Sequence, residues 1–192
     1  MAKEGQALAL QEKDIQQFSD YIENTRYAAR DKAIFLMGLR SGMRIGTIAQ
    51  ITLKDILDNS GNLKEVITLR RAITKGGKTI TAYLSHPELR QAIQDYLKVR
   101  RNHAKVDTLF LSQKGGAFSP NTLSKLMLRH FQDAGLDGAS SHSNRRTFCT
   151  SLLKKGNDIV AVSKVMGHSS IATTQRYVHH DQNEMLGMVS AL

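Results

Sequence analysis

The chain has 192 residues, 41% of them hydrophobic, and its 27 lysines and arginines outnumber 17 acidic residues to give a formal net charge of +10. This length and hydrophobic content predict one ordered domain and exclude a disordered chain, and the basic excess favours nucleic acid rather than membrane as a partner. The single cysteine, Cys149, excludes an internal disulfide and a thiolate zinc cluster. Because the sequence has no apolar run of membrane-span length and no signal-peptide layout, we expect a cytoplasmic protein.

The first fifty residues show the apolar periodicity of helices. Apolar side chains recur at three- and four-residue steps between 10 and 25, which predicts an amphipathic helix. The segment 28–39 is apolar nearly all round, which is typical of a buried helix. Gly42 ends this second helix, and a short third helix is predicted from Arg44 to Gln50.

Residues 51–84 change to the period-two alternation of strands. Three stretches rich in β-branched residues, ITLKDIL, EVITLR and KTITAYL, are separated by the turn residues 59–62 and 75–77. This pattern predicts a small three-stranded antiparallel sheet. Helical spacing then returns for most of the remaining chain, and the predicted helices run from Pro87, over 120–134, 143–155 and 158–166, and through a last turn at 173–177. The fold class is therefore mostly α with a small antiparallel β-sheet (α+β).

One stretch in the last third of the sequence concentrates cations, imidazoles and a phenol. His142 is followed three residues later by Arg145, then by His168 in a Gly-His pair and by Tyr177, with almost no carboxylate between them. Arginine grips phosphate oxygens in a forked contact, imidazoles move protons, and a tyrosine hydroxyl can attack phosphorus. The pattern therefore predicts a site for a phosphodiester. A metal site is disfavoured because no HExxH motif, thiolate pair or carboxylate cluster accompanies the histidines.

The stretch from His142 to Tyr177 resembles the C-terminal half of the tyrosine recombinase (phage integrase) catalytic domain. Its HxxR, Gly-His and Tyr stand in that family's order and usual spacing, and the resemblance extends upstream to about Leu10. It implies a catalytic domain over 10–180, preceded by a lead-in at 1–9. The implied reaction is site-specific DNA breakage and rejoining through a 3′-phosphotyrosyl intermediate, with neither metal nor other cofactor.

The resemblance also implies a role for each member of the site. Arg44, in SGMRIG, corresponds to the first catalytic arginine, and the spacing in ITKGGKTITAYL favours Lys75 over Lys78 as the catalytic lysine. Arg44, Arg145 and His168 would stabilise the charged transition state. Lys75 and His142 would move protons, and Tyr177 would be the nucleophile.

One position departs from the family pattern. Three residues after Arg44 the family usually has an acidic residue that braces the site, and this chain has Thr47. A hydroxyl cannot neutralise cations as a carboxylate does. Either another group supplies the brace or the site is less active.

The implied partner is double-stranded DNA, bound by a chain that is monomeric in solution and tetrameric on paired sites in the nucleoid. A type IB topoisomerase, which reseals the same strand, and a non-catalytic DNA-binding relative stay open as alternatives. It also stays open whether the chain is a minimal enzyme or a fragment lacking an N-terminal DNA-clamping domain. Residues 181–192 have a short apolar stripe that predicts a docking helix, on its own domain or on a neighbouring protomer.

Overall fold

The computed structural model describes residues 7–101, 106–178 and 190. The predicted docking helix at 181–192 lies outside these residues, apart from Ser190. The chain divides into two compact units, Met1–Phe148 and Cys149–Leu192. Within the described part of the chain, no helix combines the length and the apolar character that crossing a membrane requires.

Helices form most of the described structure, and most of them lie where the apolar periodicity predicts. In chain order the elements are α1 (Glu12–Glu23), α2 (Ala28–Ser41), α3 (Ile45–Ile48), α4 (Leu53–Ile56), β1 (Val66–Leu69), β2 (Ile80–Tyr83), α5 (Pro87–Val99), α6 (Pro120–Asp133), α7 (Ser141–Lys154), α8 (Ile159–Val165) and α9 (Ile171–Gln175). Pro120 stands at the first position of α6 and Ser119 caps it, as the sequence predicts.

The core of the first unit is built around α2. This helix is buried over most of its length and packs against α1, α3 and α5. The ring centroid of Phe18 on α1 lies 4.3 Å from that of Phe35 and 4.4 Å from that of Phe131 on α6. Because these large side chains exclude water completely, α2 is a fixed frame for the segments joined to its ends.

The prediction of three strands is wrong in its first strand, because the sheet of the described residues has two strands and the stretch 51–57 contains α4 instead. Thr52 and Asp55 form a capping box, in which Thr52 N donates to Asp55 Oδ2 at 2.8 Å and Asp55 N donates to Thr52 Oγ1 at 3.4 Å. This pair begins a helical turn that buries Ile56 completely. Thr52 and Leu57, on either side of α4, each make one isolated β-bridge, to Thr108 and to Leu63.

The two remaining strands form an antiparallel hairpin with a long connection. Leu69 at the end of β1 lies opposite Ile80 at the start of β2. Between them, Arg71–Ile73 form one 3₁₀ turn, and the loop that follows carries Lys75. The hairpin therefore presents this lysine on its connection, as predicted.

Candidate active site

The position of Arg44 is set by how α2 ends. Gly42 adopts the left-handed conformation, with φ of 66°, which a residue with a side chain rarely takes. The chain then reverses, and Arg44 becomes the N-cap of α3, where its carbonyl accepts hydrogen bonds from Thr47 N at 2.9 Å and Ile48 N at 3.0 Å. Arg44 is half-buried at this turn.

A surface cavity of about 330 Å³ brings three of the predicted catalytic residues together. Arg44, Lys75 and His142 all line it. Lys78, which the structure also describes, is not among the lining residues, and neither is any aspartate or glutamate of the described chain. The cavity is therefore cationic and suits an anionic group.

The first turn of α7 carries His142 and Arg145, and the two have different surroundings. His142 is exposed, and its backbone N–H donates to Ser140 Oγ at 3.3 Å. The Arg145 side chain is buried, and its Nη1 donates to the carbonyl of Gly42. Arg145 is thus hydrogen-bonded to the chain reversal at Gly42, which also positions Arg44.

Asn144, between these two residues, anchors α7 to α2. Its Nδ2 donates to the carbonyl of Phe35 at 3.3 Å. The approach depends on Gly38, because a Cβ there would lie 2.9 Å from the Asn144 Cβ. Neither contact is predictable from the sequence pattern, since both join residues more than a hundred positions apart.

Thr47, where the family pattern has an acidic residue, donates from Oγ1 to the carbonyl of Ile73 at 2.9 Å. Both residues are buried and line the same cavity as Arg44 and Lys75. The side chain therefore contacts the backbone of the lysine-bearing connection.

In the second unit, the end of α8 positions His168. Gly167, with φ of 60°, donates from its N–H to Lys164 O at 2.9 Å, and His168 N donates to Ser163 O at 3.0 Å. These two bonds form a Schellman motif, which needs a glycine at the left-handed position. The glycine of the Gly-His pair therefore fixes the backbone of the histidine.

The ring of His168 lies between α9 and Tyr177. Its Nδ1 is 2.8 Å from Oγ1 of Thr174, which is fully buried. The backbone N–H of Tyr177 donates to Thr174 O at 2.9 Å, and its ring stacks on His168 with a centroid separation of 6.2 Å and an angle of 15°. Thr174 thus orients both residues, and nothing in its sequence pattern distinguishes it from an ordinary helical threonine.

Two other tyrosines are poorly suited to lose a proton. Burial raises the pKa of Tyr96, whose hydroxyl accepts a hydrogen bond from Leu111 N at 3.1 Å. Burial and the nearby Asp133 carboxylate raise the pKa of Tyr21. Their environments disfavour the phenolate that a tyrosine nucleophile must become.

The described residues offer groups for charge stabilisation and proton transfer. Among them, no three His, Cys, Asp or Glu side chains come together as metal ligands would. The first unit supplies guanidinium, ammonium and imidazole groups around a cavity, and the second supplies an imidazole stacked on a phenol. Such groups can hold a phosphodiester, move its protons and attack it.

The chain is similar to proteins that are named tyrosine recombinase XerC. It is 35% identical to that of Caldanaerobacter subterraneus subsp. tengcongensis over 164 residues, which are 83% of this chain and 44% of the relative. It is 36% identical to that of Histophilus somni over 155 residues, which are 79% of this chain and 50% of the relative. The chain spans about half the length of the curated relatives it matches.

Solved structures share the fold. The crystal structure of XerA recombinase has a TM-score of 0.77 at 25% identity, over 96% of this chain and 65% of that one. The XerH site-specific recombinase bound to its difH substrate has a TM-score of 0.72 at 26% identity, over 95% of this chain and 53% of that one. These similarities confirm the predicted fold class. Residues 9–184 match the phage integrase family, and this chain therefore belongs to that family.

Proposed function

We propose that this chain breaks and rejoins double-stranded DNA at a defined site through a covalent bond between Tyr177 and a DNA 3′ phosphate. The observation that carries the proposal is the cationic cavity lined by Arg44, Lys75 and His142, with Arg145 tied to the turn that bears Arg44. A cavity whose described lining residues include no carboxylate suits a phosphodiester, which is negatively charged throughout the reaction.

In the proposed reaction, the Tyr177 oxygen forms a bond to phosphorus while the bond from phosphorus to the 5′ oxygen breaks. His142 accepts the phenol proton, and Lys75 gives a proton to the departing 5′ oxygen. Arg44, Arg145 and His168 stabilise the extra negative charge of the transition state. A 5′ hydroxyl from another strand then attacks the phosphotyrosine and releases the enzyme.

The proposal includes assembly on DNA, because strand exchange needs two sites held side by side. We propose that the chain is monomeric in solution and that four copies act on two paired sites. The XerH structure, whose protein is bound to its difH DNA, supports a duplex as the partner. The formal charge of +10 supports it as well, since phosphate contacts release counterions.

The test is capture of a covalent adduct on nicked duplexes with a randomised core. Each nick lies a few nucleotides 3′ of the cleavage point, so that the short released strand diffuses away and the adduct cannot reverse. We expect a denaturing gel to show a DNA-linked protein with the wild type and none with Tyr177→Phe. The matched control is Tyr83→Phe, which changes an exposed tyrosine on β2 and should leave the adduct intact.

Each alternative outcome has a distinct meaning. An adduct with Tyr177→Phe would place the nucleophile elsewhere, and no adduct with the wild type would favour a non-catalytic DNA-binding protein. Sequencing the captured duplexes identifies the preferred site. Resealing of that site without any product joined to a second duplex would favour the topoisomerase reaction.

A further inference from the structure

The side chain of Thr47 joins two segments that carry predicted catalytic groups. Its backbone N–H donates to the carbonyl of Arg44 at 2.9 Å, and its Oγ1 donates to the carbonyl of Ile73 at 2.9 Å. Only 5% of Thr47 is exposed, so water does not compete for this second bond. One residue thus fixes the arginine turn to the 3₁₀ turn of the hairpin.

The accepting carbonyl stands two residues before Lys75, in a tightly bonded part of the connection. Thr74 N donates to Arg71 O at 3.3 Å, and Thr74 Oγ1 lies 2.5 Å from the carbonyl of Lys78, to which it donates. Ile73 and Thr74 are buried, whereas Lys75 is exposed. Lys75 therefore leaves the fold two residues after a buried carbonyl that Thr47 holds.

Removing the hydroxyl would leave the Ile73 carbonyl buried without its donor. Burying such a group destabilises the fold, and the loop can reduce that cost by moving the carbonyl toward water. A movement of that kind would displace Lys75, which stands two residues later, more than Arg44, which the backbone of α3 still holds. We therefore expect loss of the hydroxyl to displace Lys75 and to leave Arg44 in place.

We propose that Thr47 is a positioning residue that sets where the Lys75 ammonium reaches, and hence how well the departing 5′ oxygen is protonated. This inference rests on the proposed function. In the step concerned, the Tyr177 oxygen bonds to phosphorus, the 5′ oxygen leaves with the electron pair of its bond, and Lys75 supplies the proton. Thr47 itself contacts no reacting atom.

The test compares two versions of the duplex recovered by adduct capture. One has the normal 5′ oxygen at the cleaved bond, and the other has sulfur there, which leaves as a thiolate and needs no proton. For each protein, the ratio of the sulfur rate to the oxygen rate is measured in single turnover. This ratio does not depend on how much of the protein is folded.

Thr47→Val keeps the shape of the side chain but removes the hydrogen-bond donor. We expect it to slow the reaction of the oxygen substrate and so to raise the ratio by about 10–100-fold, which corresponds to losing part of a general-acid contribution. Thr47→Ser, which keeps the donor, should restore the wild-type ratio. The matched control is Thr81→Val, the same change at an exposed position of β2. In a Lys75→Ala background, Thr47→Val should have no further effect on the ratio.

Two outcomes would overturn the inference while leaving the proposed function intact. Equal slowing on both substrates would mean that Thr47 acts through the fold or through Arg44, and an unchanged ratio with normal rates would mean that it has no such role. If Thr47→Val does not fold, Thr47→Ala gives the same comparison. An absence of adduct with the wild-type protein on both substrates would overturn the proposed function itself.

Discussion

The two compact units differ in the amount of apolar core behind their functional side chains. In the first unit, Arg145 donates to the carbonyl of Gly42 at the end of α2, and Arg44 follows two residues later. The core around α2 contains fully buried side chains such as Phe18, Phe35 and Phe131. Among the described residues of the second unit, the buried hydrophobic side chains are Cys149, Val162 and Met166. The two arginines proposed to hold the phosphate thus have an extensive core, and in the described part of the second unit the proposed nucleophile has a small one.

This difference predicts unequal local stability. Segments with few buried apolar contacts open at a lower free energy than the core of a domain. The contacts of His168 and Tyr177 include the Schellman motif at Gly167 and the bonds to Thr174, which are all short-range in the sequence. We expect the backbone amides of α8 and α9 to exchange with solvent faster than those of α2.

The largest expected effect tests this contrast directly by removing one core side chain from each unit. We expect Phe131→Ala to lower the free energy of unfolding by about 3–5 kcal/mol and Val162→Ala by about 2 kcal/mol. Urea unfolding followed by circular dichroism measures both, and hydrogen exchange shows which helices lose protection. Equal losses in both variants, with equal exchange in α2 and α8, would contradict the contrast.

The second-largest effect concerns the buried side chain of Arg145 in the first unit. Arg145→Ala removes a proposed transition-state contact and the donor to the Gly42 carbonyl. We expect adduct formation to fall by about 10²–10³-fold, as for the loss of one preorganised donor. The rate is measured in single turnover at saturating protein, with the exposed Arg129→Ala on α6 as control. A loss that disappears at higher protein concentration would assign Arg145 to DNA binding instead.

A third effect tests the packing that anchors α7 to α2. Gly38→Ala places a Cβ 2.9 Å from that of Asn144, and we expect a loss of about 1–3 kcal/mol despite the better helix propensity of alanine. Gly46→Ala is the matched control, because its nearest neighbour, Pro120 Cβ, is at an ordinary 3.7 Å. Thermal unfolding measures both. A neutral Gly38→Ala would show that α7 can move without cost.

The smallest effect is pH-dependent and concerns α4. Burial raises the pKa of the Asp55 carboxyl, but hydrogen bonds from Thr52 and the ion pair with Arg70 outweigh burial and hold the pKa below its ordinary value. A carboxyl with a lower pKa in the folded state stabilises the fold above its ordinary pKa, and this stabilisation is lost as pH falls through the folded value.

We therefore expect Asp55→Asn to lower the free energy of unfolding by about 1 kcal/mol at neutral pH. The difference from the wild type should shrink as pH falls below the ordinary carboxyl pKa of about 4, because the unfolded chain then binds a proton more readily than the folded Asp55 does. Urea unfolding across pH measures it, and the exposed Asp137→Asn should stay within about 0.5 kcal/mol. A difference that is the same at every pH would mean that the charge of Asp55 is not what stabilises α4.

The sequence predicted most of the helices because apolar periodicity and caps are local signals. The same local signals explain why the first predicted strand is wrong. The stretch 51–57 alternates like a strand, but it also contains the Thr52–Asp55 pair that caps a helix, and the capped turn is the arrangement that buries Ile56. Over so few residues, a period-two pattern cannot distinguish a strand from a capped helical turn.

By itself, the sequence determined the family, the fold class and the features of the site that depend on near neighbours. The three-residue step from His142 to Arg145 and the glycine before His168 are of this kind, because a helix and a Schellman motif are closed by residues close in the chain. The roles assigned to the six site residues remain predictions that the experiments above would test.

Only the tertiary structure decided which distant groups meet. The Gly42 carbonyl receives Arg145 across 103 positions, and the Ile73 carbonyl receives Thr47 across 26 positions. The cavity lining includes Lys75 and not Lys78, although both are described and stand on the same connection. The acceptors are backbone carbonyls, which every residue carries, so no residue type marks them in advance. Folding selects them because a buried donor must find an acceptor.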